Sequence, residues 1–224
     1  HWLELDKNPG DDYIGLFREP KILYQEIAQK LPFYFDSSEH FLVNDTCYIM
    51  TSHTQSLMAL AAALNSTLFR CCFKDNFPEN AGNTYRAKKA FFDKISIKKP
   101  TAGQAALFEK LVPLVQHAKR IGEDTPASFL EDLIDACVME CYFREHMAER
   151  DLLFHDDVSR LLGISHTKAR SHEEEANGSD LLSSPEFLRA FVASCETSPI
   201  RNRLLRIPTA SPDLLAIIKA EGKV

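Results

Sequence analysis

The chain has 224 residues, of which 45% are hydrophobic and 26% are charged, and its formal net charge is −6. This composition is ordinary for a soluble globular protein with one substantial core. No apolar run approaches the roughly 20 residues that a membrane span requires, and the first residues carry no signal-peptide pattern. We therefore predict a cytoplasmic protein without membrane partners, and the absence of an initial Met indicates a fragment of a longer chain.

The charge is unevenly distributed along the sequence. Residues 1–121 carry a net charge of +2, residues 122–224 carry −8, and residues 70–99 alone carry +5. A protein that only coats DNA non-specifically should be far more basic than this. A module that forms one wall of a larger DNA clamp need not be.

The first half of the chain is predicted to be a meander of short strands followed by helices. Strands are expected at residues 21–27, 33–36 and 43–50, where aromatic and β-branched residues fit a pleated surface. Apolar residues recur at intervals of three and four residues over 55–73 and again over 105–121. This spacing predicts two helices, each with one buried face. Residues 75–84 are predicted to be a loop, and residues 90–97 to end in a strand.

The composition becomes more acidic after Gly122, and the pattern becomes helical. A long amphipathic helix is predicted from Asp124 to about residue 148, with shorter helices at 156–163, 185–195 and 212–219. Residues 171–184 are polar and are predicted to be disordered. The fold class is therefore α+β: a small mixed β-sheet with packed helices over 1–121, followed by a helical C-terminal lobe over 122–224.

The six cysteines are interpreted as free thiols, because adjacent Cys71 and Cys72 in a helical pattern are poor disulfide geometry. Cys137 and Cys141 lie one helical turn apart and would supply half of a zinc site. Without a second pair at customary spacing, buried thiols are the favoured reading, and no metal is predicted.

No enzyme signature is visible in the sequence. Gly-rich phosphate loops, a methyltransferase motif and a nucleophile elbow are all missing, so the fragment itself is predicted to be non-catalytic and without a cofactor. Residues 156–167 weakly resemble the first half of a helix-turn-helix. Glu173, Glu174 and Glu175 follow its would-be recognition segment and would repel DNA phosphates, so this reading is disfavoured.

An ordered set of short motifs between residues 20 and 97 carries a resemblance to a known family. The motifs are Pro20, Lys21 and Ile22 with Gln25; Asn44 to Thr46 leading into Tyr48 and Ile49; Ala63 to Ser66; and Phe91 and Phe92 with Ile95 to Ile97. In this order they resemble the TaqI-like C-terminal specificity (target recognition) domain of type IIG restriction–modification enzymes, which is attached to adenine-N6 DNA methyltransferases. One departure is Ser96, where the family usually has Pro. The helical tail over residues 133–147 resembles the appendage that follows the domain in large restriction and phage-defence methyltransferases.

The resemblance implies a DNA-recognition module that works beside a methyltransferase domain of the same parent chain. Double-stranded DNA would be the partner, S-adenosylmethionine the parent's cofactor, and adenine methylation, with or without endonuclease activity, the parent's reaction. Basic side chains would fix register on phosphates, while polar side chains would reach base edges. The candidate DNA-binding residues are Lys21, Gln25, Arg70, Lys74, Tyr85, Arg86, Lys88, Lys89 and Lys94.

Purely structural explanations of the candidate residues are also consistent with the sequence. The basic residues would form an ordinary solvated face, Lys21 a snorkelling side chain, and Gln25 an edge-strand amide. Asn65 and Ser66 lie inside a helical pattern and are more readily explained by a hydrogen bond that shapes the fold. The rival function is a helical protein–protein interaction or scaffold module without DNA affinity, with the acidic second half as its working surface.

Overall fold

A computed structural model describes residues 11–37, 41–43, 46–164, 184–212 and 216 of the chain. The described part has an α+β fold, which confirms the predicted class. No helix in these residues is both long enough and apolar enough to span a bilayer. In chain order the elements are α1 (Asp11–Leu16), β1 (Lys21–Gln25), β2 (Ile27–Ala28), β3 (Tyr34–Asp36), β4 (Cys47–Met50), α2 (Leu57–Asn65), α3 (Thr67–Asn76), β5 (Glu79–Asn80), β6 (Thr84–Arg86), α4 (Lys89–Phe92), α5 (Ala102–Arg120), α6 (Asp124–Ala148), α7 (His155–Leu161), α8 (Pro185–Thr197) and α9 (Pro199–Ala210).

The described strands form two antiparallel sheets of three strands each, in the orders β3-β1-β4 and β2-β6-β5. In the first sheet, Leu23 of β1 lies opposite Tyr34 on one side and Ile49 on the other. In the second, Ile27 lies opposite Arg86. The predicted strand at residues 21–27 is therefore two strands, and the single residue Glu26 separates one sheet from the other.

The long helix predicted at residues 55–73 is two helices that meet at Ser66. Ser66 has an extended backbone with φ −70° and ψ 155°, its hydroxyl accepts from the Phe69 N–H, and the same hydroxyl donates to the Ala63 carbonyl at 2.6 Å. It therefore ends α2 and caps α3. The Asn65 amide donates to the carbonyls of Phe33 and Ala61, at 2.8 and 2.9 Å. The predicted role of Asn65 and Ser66, hydrogen bonds that shape the fold, is confirmed.

Residues 75–97 differ most from the prediction. Residues 79–86 form the hairpin β5–β6 rather than a loop, and its turn places Gly82 and Asn83 at positive φ. The short helix α4 begins at Lys89, and residues 90–97 contain no strand. The reason is aromatic packing: the Phe92 ring meets Phe77 at 5.0 Å and Tyr24 at 5.2 Å. The Phe92 ring therefore points into the aromatic cluster, and the segment lacks the alternation of side chains between two faces that a strand requires.

The helical part packs directly on the first part through one continuous core. α5 lies against α2 and α6, and the fully buried Leu64, Leu107, Leu111 and Leu133 belong to the same cluster. Asp135 of α6 accepts the backbone N–H of Thr67 at 2.8 Å, so a lobe carboxylate caps α3. The division into domains at residue 121 stays a prediction.

The remaining helices are fixed by local signals. α5 begins three residues before its predicted start because Thr101 and Gln104 form a reciprocal capping box. The helix predicted at 124–148 is confirmed as α6, and those at 156–163 and 185–195 as α7 and α8. α9 was not predicted. The segment predicted to be disordered, residues 171–184, and the helix predicted at 212–219 lie almost wholly outside the described residues.

Candidate nucleic-acid interface

Glu26 joins the two sheets and organises the surface around the end of β1. Its backbone N–H donates to the Thr46 carbonyl at 2.9 Å, and its carbonyl accepts the Ala87 N–H at 2.7 Å. One residue is therefore bonded to the strand before β4 on one side and to the end of β6 on the other. These two bonds fix the position of the Glu26 backbone relative to both sheets.

The Glu26 carboxylate collects two donors from different elements. Arg86 Nε donates to Glu26 Oε1 at 2.8 Å, and the Tyr48 hydroxyl donates to the same carboxylate. The bond from Arg86 is the main reason why the pKa of Glu26 is lowered. Burial and then the nearby carboxylate raise the pKa of Tyr48. Glu26 is therefore ionised and Tyr48 neutral at physiological pH.

Lysines follow Arg86 along exposed chain. Lys88, Lys89 and Lys94 are all exposed in the described structure. Lys89 pairs with Asp93 at 3.2 Å, and the Lys94 ammonium lies 5.6 Å from the centre of the Phe91 ring. We name residues 86–99 the basic segment. Gln25, which is also exposed, directly precedes Glu26 at the end of β1.

Two predicted contacts are used for packing: Lys21 lies in the core, and Tyr85 is partly buried against it. The Lys21 side chain is 0% exposed, and its ammonium lies 2.8 Å from Asp36 Oδ2 and donates to the Phe17 carbonyl at 2.8 Å. A buried, paired ammonium is not available to a phosphate, so the prediction for Lys21 is corrected to a structural role. The Tyr85 ring lies 4.6 Å from the Phe73 ring in edge-to-face contact, so it contributes to packing and not to a stacking platform.

Arg70 and Lys74 are separated from this group in different ways. Arg70 donates to Thr67 Oγ1 at 3.1 Å and lines a cleft of about 500 Å³ bounded by residues 30–35, α2, α3, α5 and α6, where Asp132 and Asp135 also lie. Lys30 and Lys119 also line this cleft, so its charges are mixed, and no residue of the basic segment lines it. The Lys74 side chain lies outside the described residues. The structure thus brings Gln25 and Arg86 into one neighbourhood and leaves Lys88, Lys89 and Lys94 exposed beyond it.

Sequence reasoning missed Glu26 and Tyr48. Sixty residues separate Glu26 from Arg86. No local period or motif signals a pair formed at that separation. The sequence signal that could have identified Glu26 is its position as a carboxylate within the largely apolar segment 21–27. Among the described residues, no group of three or more His, Cys, Asp or Glu side chains is arranged to hold a metal ion.

The fold and this surface define a class: a small α+β module whose cationic residues lie on a segment beside its sheets. Residues 3–97 match the family model of the TaqI-like C-terminal specificity domain, which confirms the resemblance. That family model describes a specificity domain of restriction–modification enzymes, for which DNA is the implied partner. The match ends before α5, so both α5 and the helical lobe lie outside it. No curated protein and no solved structure gave a significant match.

Proposed function

We propose that this chain recognises a specific duplex sequence on behalf of an adenine-N6 DNA methyltransferase whose catalytic part lies outside these 224 residues. The observation that carries the proposal is the position of the basic segment, whose residues 86–97 lie at the end of the stretch matched by the family model. The domain would hold the duplex from one side while the target adenine is turned into the partner's pocket. S-adenosylmethionine would bind in that partner, in a cytoplasmic enzyme of restriction or phage defence that methylates DNA and in some forms also cleaves it.

The charge distribution supports a division of labour on the surface. Lys88 and Lys94 are exposed cations and suit backbone phosphates, which carry no sequence information. Gln25 offers an amide that both donates and accepts, as base edges require. Lys21 and Tyr85 are left out of the proposed interface because both side chains serve the core.

Salt dependence of duplex binding by the 224-residue chain tests this proposal. The logarithm of the binding constant should fall linearly with the logarithm of salt concentration, with a slope of about 0.9 for each phosphate contacted. The double variant Lys88→Ala with Lys94→Ala should flatten that slope by about 0.9 to 1.8. The measurement is fluorescence anisotropy over a range of salt concentrations.

A matched double variant controls for charge alone. Lys119→Ala with Arg160→Ala removes two exposed cations outside the matched segment and should leave the slope unchanged. Lack of duplex affinity at every ionic strength would contradict the proposal. That outcome would favour the rival interpretation, a helical protein–protein interaction module.

A further inference from the structure

Arg86 is held in place before any ligand arrives. Its guanidinium is bonded through Nε to Glu26, and Glu26 is fixed by its own backbone bonds to Thr46 and Ala87. An arginine that is already oriented loses less conformational freedom when it forms a directed contact. The arrangement therefore favours a geometric role for Arg86 over a purely electrostatic one.

The charge balance at this point argues in the same direction. Glu26 offsets most of the positive charge of Arg86, so the pair attracts phosphate less strongly than a single cation would. Lys88 and Lys94, by contrast, are exposed beyond the pair. A residue selected for phosphate attraction alone would not be expected to carry a carboxylate at 2.8 Å.

The free part of the guanidinium has the shape that a base edge requires. In the described part of the chain Nε is the hydrogen-bonded Arg86 nitrogen, which leaves its two terminal nitrogens for an outside acceptor. Two parallel N–H groups match the O6 and N7 acceptors that guanine presents in the major groove. The Arg86 side chain is 43% exposed, so an outside ligand can reach it.

An apolar neighbour distinguishes a base edge from a phosphate. Ile27 lies directly opposite Arg86 in the antiparallel pair, which places both side chains on one face of the sheet. Ile27 is 46% exposed. A phosphate offers such a side chain nothing, whereas the methyl group of thymine in the major groove is an apolar contact.

We propose that Arg86 reads a guanine in the major groove, that Glu26 is its positioning residue, and that Ile27 contacts the adjoining base pair. This inference rests on the proposed function and assigns its base-reading residues. Lys88 and Lys94 then supply affinity without sequence preference, while Arg86 supplies discrimination at one position of the recognition site.

Selection of bound duplexes from a randomised pool, followed by sequencing, tests the assignment on the 224-residue chain. The wild-type protein should enrich a motif that contains a guanine. Arg86→Lys keeps the charge but loses the planar fork, and it should weaken the preference for that guanine by about 5- to 150-fold. Glu26→Gln should weaken it by a smaller factor, because the amide oxygen still accepts from Nε. Ile27→Ala should relax preference at the neighbouring position only.

Two comparisons make the outcome interpretable. Arg160→Lys changes an arginine that also pairs with a carboxylate, Asp157 at 2.9 Å, and it should select the wild-type motif. Thermal melts confirm that each variant is folded. If Arg86→Lys selects the same motif with the same strength, the assignment is wrong while the proposed function stands. If the wild-type chain binds no duplex at all, the proposed function fails and the assignment fails with it.

Discussion

Two ion pairs at opposite ends of β1 have the same 2.8 Å contact and opposite surroundings. Lys21 and Asp36, at the start of the strand, are both 0% exposed, whereas Arg86 and Glu26, just beyond its end, are 43% and 16% exposed. The buried pair is surrounded by the core, and the exposed pair faces solvent at the junction of two sheets. The comparison teaches that burial, and not residue type or contact distance, separates a structural cation from one available to a ligand.

The largest expected effect is on the buried pair. Lys21→Ala leaves the Asp36 carboxylate without its counter-ion in the core, and it should lower the free energy of unfolding by about 3–5 kcal/mol. Urea denaturation followed by circular dichroism measures this loss. Lys30→Ala, at an exposed lysine nearby in sequence, is the control and should change stability little.

A partial rescue sharpens the interpretation of that result. Replacing both partners, Lys21→Met with Asp36→Leu, should recover part of the lost stability because no charge is then left uncompensated. The recovery should be incomplete, since Asp36 Oδ2 also accepts the Phe41 N–H at 2.9 Å. A stability for Lys21→Ala within experimental error of the wild-type value would contradict the buried ion pair.

The second effect extends the comparison to the helical lobe. Glu140 is 1% exposed, and one carboxylate oxygen accepts the N–H groups of Phe154 and His155 at 2.5 and 2.9 Å. Glu140→Ala removes the acceptor of two donors at the start of α7, and it should cost on the order of 2–4 kcal/mol. The measurement is again chemical denaturation. Glu145→Ala, an exposed position on the same helix, should be nearly neutral.

The exposed pair should behave in the opposite way. Arg86→Ala removes a partly exposed cation whose partner keeps the Tyr48 bond, so Tm should fall by no more than about 4 °C. Differential scanning calorimetry measures this shift. A loss of stability as large as that of Lys21→Ala would show that the Glu26 junction is a structural centre, and the comparison between the two pairs would fail.

The smallest effect is a pH dependence at Asp135. Burial raises the pKa of this carboxyl above its ordinary value of 3.8, and the hydrogen bond from the Thr67 N–H opposes that rise only in part. With a raised folded-state pKa, Asp135 contributes stability at pH values below 3.8, and this contribution is lost as pH rises through the folded pKa. Relative to Asp135→Asn, the wild type should therefore lose stability as pH rises over this range. If the free energy of unfolding of the wild type rose with pH relative to that of Asp135→Asn, the raised pKa would be contradicted.

The fold class and most helices followed from local sequence signals. α6 could be predicted because Phe129, Leu133 and Ala136 recur at intervals of three and four residues and Pro126 lies in its first turn, whereas the non-helical backbone at Phe143 has no sequence signal. The division at Ser66 could not, since Leu60, Leu64 and Leu68 continue one helical period across it, and the break lies in the Ser66 backbone and hydroxyl bonds. The short helix α4 depends on the packing of Phe92 against the rings of Tyr24 and Phe77, and Tyr24 lies far outside any local window of sequence.

The candidate interface was predictable only in part. Exposed lysines in a net-basic stretch pointed to Lys88, Lys89 and Lys94, because charge density is a local property of the sequence. The burial of Lys21 is not local: it depends on Asp36, fifteen residues later, and on strand pairing that places the two side by side. The same holds for Arg86, whose partner Glu26 lies sixty residues earlier, between β1 and β2.

The continuous core that joins α2 to α5 and α6 has a practical consequence for protein engineering. A graft that moved only residues 3–97 into a different enzyme would carry α2 without the helices that cover it, and would leave Leu64 and its neighbours open to water. It would also lose the Asp135 cap of α3. Chimeras intended to exchange target preference should therefore transfer the lobe through α6 as well, or change only surface side chains around Glu26.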